Sequence, residues 1–226
     1  MQQSKDPVSS RNVITAITVQ KRNTGRCSIS IDGEFAFGCA MDIVLEHRLT
    51  RGMVLREEDI LRFKEQDSSM YARQRALRFA VFKPRTEKQV REKLRRMDFH
   101  AEQIDDAVEF LYEFDYLNDK RFALMYINDY LLRKSVGKEK LRVELMKTGI
   151  DKDTIAEALT ERFPEDENEN MLRTVATKKL ALLWRKKPAD RIKALQTYLR
   201  GQGFSFSDIR SVVDEILEDQ HVSEDE

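Results

Sequence analysis

The apolar positions of this chain fall into three copies of one spacing. Val90, Leu94, Phe99, Ile104, Ala107 and Val108 recur 51 residues later as Leu141, Leu145, Ile150, Ile155, Ala158 and Leu159. They recur again 54 residues further on as Leu195, Leu199, Phe204, Ile209, Val212 and Val213. Six shared offsets predict one helical unit used three times. A period near 50 residues predicts an array whose surface, rather than a deep cleft, does the work.

Each unit reads as three helices. In the first, Ala72, Ala76, Leu77 and Ala80 give Tyr71 to Phe82 an apolar face, and Lys83-Pro84 ends it, because proline disfavours helix in the residue before it. Thr86-Glu87-Lys88-Gln89 then resembles a capping box. Val90, Leu94 and Met97 line the middle helix, and a third helix runs from Ala101 to Phe114. The second unit opens at Asp119 with a broad stripe of Phe122, Ala123, Tyr126, Ile127, Tyr130 and Leu131. Gly137 starts its middle helix, Gly149 suits a left-handed C-cap, and Asp151 or Asp153 caps its third helix. In the third unit Pro188 opens the middle helix and Gly203 closes it.

Upstream the period changes from helical to alternating. Val13, Thr15, Ile17 and Val19 read as a first strand, Cys27, Ile29 and Ile31 as a second, and Phe35, Phe37 and Cys39 as a third on the same apolar face. Gly25 and Asp32-Gly33 mark the intervening turns. The meander needs a cover, which the helical stretch Asp42 to Leu49 can supply. Glu57 to Phe63 starts another helix, and the polar stretch 65–69 reads as the domain boundary.

The expected fold is therefore mainly α. Three three-helix repeats, at 70–118, 119–163 and 171–218, form an elongated curved stack behind a small α+β domain at 12–66. Residues 1–11 read as a frayed N-terminus, 164–170 as an acidic linker and 219–226 as an acidic tail. A specific acidic site is the alternative reading of the linker.

Charge is evenly balanced overall, with 40 basic and 40 acidic residues, so net charge alone predicts no polyanion partner. Its distribution changes that picture. Arg73 to Arg96 holds ten basic residues against Glu87 and Glu92, while Glu102 to Asp119 holds seven acidic residues and no lysine or arginine. Arg173 to Lys193 holds eight basic residues against Asp190. The second unit repeats the pattern more weakly. Two readings stand: basic helices pair with acidic helices of other units, or the stripes face a polyanion or a charged protein groove. On the second reading the partner- or DNA-binding residues are Arg78, Arg85, Lys88, Arg91, Arg95, Lys138, Arg142, Lys178 and Arg185. Arg91 and Arg95 flank the core positions Val90 and Leu94, and Arg142 is the second-unit equivalent of Arg91.

Little else in the chain suggests chemistry. Gly137-Lys138 lacks the upstream glycine of a phosphate loop, His47, His100 and His221 are scattered, and adjacent Asp105-Asp106 point apart on a helix. No catalytic residue, metal site or cofactor is expected, and the reading is a non-enzyme. Cys27 and Cys39 read as reduced, half-buried thiols, with a cross-strand disulfide as the alternative. Trp184, near Leu180 and Leu183, reads as core. Phe110, Tyr112, Phe114, Tyr116 and Phe122 read as packing a joint between units, with base stacking as the alternative. No apolar run reaches membrane-spanning length and no hydrophobic leader is evident, so a cytoplasmic, membrane-free monomer is expected.

The segment Tyr116-Leu117-Asn118-Asp119-Lys120-Arg121-Phe122-Ala123 resembles the hallmark between the first two helical units of the RecX regulatory proteins. Gly137-Lys138 with Leu141, Glu144-Leu145 and Gly149-Ile150 is similar to that family's second unit, Gly203-Phe204 to the end of its third middle helix, and Lys93-Leu94 to its first unit. Lys83-Pro84-Arg85-Thr86 departs from the usual serine-containing form. The likeness covers residues 70–217, and the β-containing region resembles the extension of longer members. It implies a non-enzymatic modulator that binds the groove of the RecA–DNA filament. Inhibition of ATP hydrolysis, strand exchange and coprotease function would follow, with weak binding to single- or double-stranded DNA. A nucleic-acid-binding module and a general protein-interaction scaffold are the other readings the sequence leaves open.

Overall fold

The computed structural model describes residues 12–224. An antiparallel sheet of β1 (Ile14–Gln20), β2 (Asn23–Ile31) and β3 (Glu34–Ala40), in that order, precedes ten helices. These are α1 (Met41–Glu46), α2 (Glu57–Phe82), α3 (Glu87–Arg95), α4 (Ala101–Glu113), α5 (Asp119–Leu131), α6 (Lys138–Thr148), α7 (Lys152–Arg162), α8 (Glu165–Leu182), α9 (Pro188–Gly201) and α10 (Phe206–Glu224). The N-terminus expected to fray over residues 1–11 lies outside the described residues. The described residues divide into two compact units: 12–79 with 93–114, and 80–92 with 115–224.

The sheet buries Cys27, Ile29, Ile31, Phe37 and Cys39 on one face, against Ile43 and Val44 of α1 and Phe63 of α2. Strict alternation is broken in both strand pairings, and two of the irregularities move a predicted core position. One lies between Ile14 and Ala16, so Ile14 rather than Val13 enters the core, while Ile17 beyond it keeps its expected inward facing. The other, after Ile29, pairs Ser30 with Phe35. Each extra residue reverses which face the following side chain takes, and Phe35 is 68% exposed instead of joining Phe37. Cys27 and Cys39 stand directly opposite each other in register, fully buried and reduced.

The polar stretch 65–69 is not a break. α2 runs through it for 26 residues because its polar side chains are used. Asp67 accepts from Arg26 Nη2 at 2.7 Å and from the Ala40 N–H at 2.8 Å, tying α2 to the sheet. Gln66 bonds His47 and Glu46. The acidic run after Pro164 is likewise the opening of α8 rather than a linker. Its Asn168 is buried and donates to Asp208 on α10 at 3.0 Å.

The second and third sets of predicted helices each close around one core. Ala123, Ile127, Leu141, Leu145, Ile155, Ala158 and Leu159 share one core, and Leu172, Ala176, Leu195, Leu199, Ile209, Val212 and Val213 share another. Asp98, Gly149 and Gly203, equivalent under the repeat offsets, all take positive φ after their middle helix (60°, 91° and 85°). The left-handed residue turns the chain so that Phe99, Ile150 or Phe204 comes next. Trp184 departs from expectation. It lies on the turn after α8 and is 66% exposed, while Leu183 takes the inward position. Tyr112, Phe114 and Tyr116 are also largely exposed, with the Phe114 ring 4.9 Å from that of Phe110.

Candidate interaction surface

The middle helices α3, α6 and α9 meet end to end. At the start of α3, fully buried Thr86 accepts the Gln89 N–H at 3.3 Å and donates through Oγ1 to the Thr148 carbonyl at the end of α6 at 2.9 Å. Asp119 accepts the Glu87 N–H at 3.3 Å, and the Lys88 stem lies across Gly149. At the start of α6, the Gly137 N–H donates to the Gln202 carbonyl at 3.0 Å and the Glu139 N–H to the Gly203 carbonyl at 3.1 Å. Lys140 Nζ reaches the Gly201 carbonyl at 3.3 Å. The unpaired amides that open α6 thus meet carbonyls at the end of α9, whereas α3 is joined to the end of α6 through the Thr86 hydroxyl. The same arrangement sets opposite dipole ends together.

This junction places the expected contact residues of α3 and α6 on successive helices. Lys88, Arg91 and Arg95 fall at i, i+3 and i+7 of α3 and share one face. Arg91 Nε pairs with Glu87 at 2.5 Å, and Arg142 Nε with Glu139 at 3.2 Å, each on its own helix. Arg95 and Arg78 are exposed, the latter on α2. Arg85, half-buried between α2 and α3, lines a cleft of about 270 Å³ with Pro84, Tyr116, Phe122 and Met125. Lys138, the first residue of α6, lines another with Asn168 and Asp208.

Lys178 and Arg185 belong to a different and denser group. Two clefts against the third three-helix unit, about 870 and 500 Å³, the smaller walled also by Lys134, Ser135 and Lys140 of the second unit, share Lys179 and Tyr198 as a common wall. Arg185, Lys186, Lys187 and Lys193 line the larger; Lys134, Lys140 and Lys178 line the smaller. Among the described residues, Asp190 is the one carboxylate lining either. Lys179 Nζ sits 4.6 Å from the centre of the Tyr198 ring, and the Arg185 guanidinium 4.9 Å from the Trp184 ring. The turn that carries Trp184 is fixed by Arg191, whose Nη2 donates to the Trp184 carbonyl at 3.2 Å. Of this group only Lys178 and Arg185 are among the residues expected from sequence. The charge run from Arg173 to Lys193 was the available signal. The exposure of Trp184 was not, because an isolated tryptophan beside two leucines fits a core equally well.

Among the described residues, no group of three His, Cys, Asp or Glu side chains is placed to hold a metal, and no helix is long and apolar enough to cross a membrane.

Three family models match the chain in order: the regulatory protein RecX N-terminal domain over residues 12–56, the RecX first three-helix domain over 72–111 and the second over 118–159. The regulatory protein RecX of Clostridium acetobutylicum is 34% identical over 93% of this chain and 99% of its own. The chain belongs to the RecX family. The RecX of Bacillus subtilis is 32% identical across 90% of this chain and 76% of its own length. A crystal structure of a regulatory protein RecX superposes with a TM-score of 0.75 at 27% identity, covering 89% of this chain and 98% of that one. The RecX of Lactobacillus salivarius superposes at 0.62 and 25% identity, over 66% and 97%.

The RecX-like hallmark at 116–123 has a structural explanation in this chain. Leu117 and Ala123 are core. Asn118 caps α5 by accepting the Arg121 N–H at 2.9 Å. Asp119 caps α3, and burial raises its carboxyl pKa above the ordinary carboxylate value. Lys120 reaches Glu161 of α7 at 3.1 Å, and Arg121 pairs with Asp115 at 2.6 Å. These residues build the start of the second unit, whatever else they contact.

Proposed function

We propose that this RecX protein regulates the RecA recombinase by lying along the RecA–DNA filament and inhibiting its ATP hydrolysis, strand exchange and coprotease function. It acts in recombination and repair, in the cytoplasm, as a monomer and without catalytic chemistry of its own. Family membership points to regulation. The single observation that supports the filament as target is the end-to-end chain of middle helices, which sets equivalent outward positions in succession. A partner that is itself a repeating polymer presents its contacts in succession too, so modest contacts sum through effective concentration. On this reading Arg78, Arg85, Lys88, Arg91, Arg95, Lys138 and Arg142 face the filament.

The basic clefts of the third unit favour a second reading, a nucleic-acid-binding module that needs no protein partner. The two separate by salt dependence and selectivity. Bare-strand binding falls steeply with salt, because each neutralised phosphate releases counterions. Filament binding in addition requires RecA. Inhibition of RecA ATP hydrolysis by the full chain on single-stranded DNA tests the first reading, and unchanged hydrolysis at saturating protein contradicts it.

A further inference from the structure

We infer that the adjoining clefts of the third three-helix unit bind a single strand of nucleic acid, with phosphates along the cations and an unpaired base against Trp184. This deepens the regulatory reading by assigning where a DNA strand sits, and it rests on that reading only for its biological setting.

Three observations carry the assignment. The first is charge: Lys178, Lys179, Lys186, Lys187 and Lys193 line clefts that hold one carboxylate, Asp190. None of these five is ion-paired within the described residues, in contrast to Arg91 and Arg142, each already held by a glutamate on its own helix. The second is form: the clefts are open and share a wall at Lys179 and Tyr198, which suits an extended chain rather than an enclosed small molecule. The third is Trp184. Its ring is 66% exposed beside Arg185, which lines the larger cleft, and its turn is pinned by Arg191. Arg185 stacks on the indole, and an aromatic ring beside a cationic track is how single strands are held without sequence preference. A duplex keeps its bases stacked on one another and offers no free base face to the indole. An acidic peptide would use the lysines and leave the ring unexplained.

Trp184 is also the only tryptophan in the chain, so its emission reports directly on the site. The test titrates the full-length protein with oligothymidylate, duplex DNA of the same length and polyglutamate at one ionic strength. Expected are saturable quenching by oligothymidylate and weaker binding of duplex without that quenching. With a labelled oligothymidylate, Trp184→Ala weakens binding about tenfold and Trp184→Phe restores part of the loss. Lys186→Glu with Lys187→Glu reduces the salt slope by about 0.7 for each phosphate no longer neutralised. Absence of quenching by oligothymidylate, equal quenching by polyglutamate, or a Trp184→Ala variant with full affinity each overturns the assignment. Circular dichroism confirms that the variants are folded. RecA inhibition is measured separately on the same variants, so bare-strand binding without inhibition refutes the regulatory reading alone, and inhibition without bare-strand binding refutes the site alone.

Discussion

Gly137→Ser tests the junction between middle helices, because local preference and tertiary contact predict opposite signs. Gly137 is the N-cap of α6 with φ −79° and ψ 168°, a conformation open to any residue. Serine is a better N-cap than glycine by a few tenths of a kcal/mol, so an isolated helix would gain. In the folded chain a Cβ at this position would lie 2.3 Å from the Gly203 carbonyl oxygen, 2.5 Å from its carbon and 2.7 Å from the Phe204 nitrogen. These are backbone atoms and cannot swing aside. The start of α6 must therefore retreat from the end of α9, losing the bonds from Gly137 to Gln202 and from Glu139 to Gly203. Two bonds at about 1 kcal/mol each, with overpacking strain of about 1–3 kcal/mol, give a net loss of about 3–5 kcal/mol. Urea unfolding followed by far-ultraviolet circular dichroism measures it, and hydrogen exchange at the Glu139 amide locates it. Gly201→Ala on α9 is the control, since a Cβ there meets nothing within 4 Å, and it should stabilise by about 0.5 kcal/mol. A Gly137→Ser variant as stable as the parent would refute the end-to-end junction.

Three further outcomes are expected. Arg91→Glu, Arg95→Glu and Arg142→Glu together weaken inhibition of the RecA filament while helix content stays unchanged, each new like-charge pair costing about 0.5 kcal/mol; full inhibition by the folded triple variant would exclude that surface. Burial raises the Asp119 pKa above its ordinary value of 3.8, so its protonated form is favoured in the fold, and its contribution is greatest below 3.8 and declines as pH rises through the folded value. Urea unfolding should therefore show the parent losing stability relative to Asp119→Asn as pH climbs from below 3.8 towards neutrality, and a flat or rising difference would contradict this. Burial pushes the Cys39 thiol up to about 11, leaving little thiolate at neutral pH, so iodoacetamide should label the native protein far more slowly than the urea-unfolded chain, and equal rates would contradict the packing at Cys39.

The three-helix units were legible because the same six apolar offsets repeat, and each repeat reinforces the same answer. Gly149 and Gly203 were readable as helix ends from residue type alone, while Asp98 took the equivalent conformation without that signal. What escaped depended on contacts distant in sequence. The stretch 65–69 looked like a boundary because its residues are polar, yet Asp67 serves Arg26 and Ala40, and nothing local shows this. Phe35 faces outward because a bulge inverts the facing of a strand without leaving a mark in the alternation. The acidic run after Pro164 suggests a linker by composition, but proline is well suited to opening a helix and buried Asn168 finds a partner in Asp208. The site was legible as charge density and not as geometry. The pairs of Arg91 with Glu87 and of Arg142 with Glu139 follow from helical spacing, whereas the clefts lined by the lysines of the third unit depend on how helices pack.

Co-sedimentation of the full-length protein with RecA–single-stranded DNA filaments, beside the same DNA without RecA at the same salt, tests the central claim most directly. Lying along the filament predicts pelleting with filaments at protein concentrations where bare DNA retains far less. Equal retention by both would contradict it and leave a nucleic-acid-binding module, and retention by neither would remove the filament as partner.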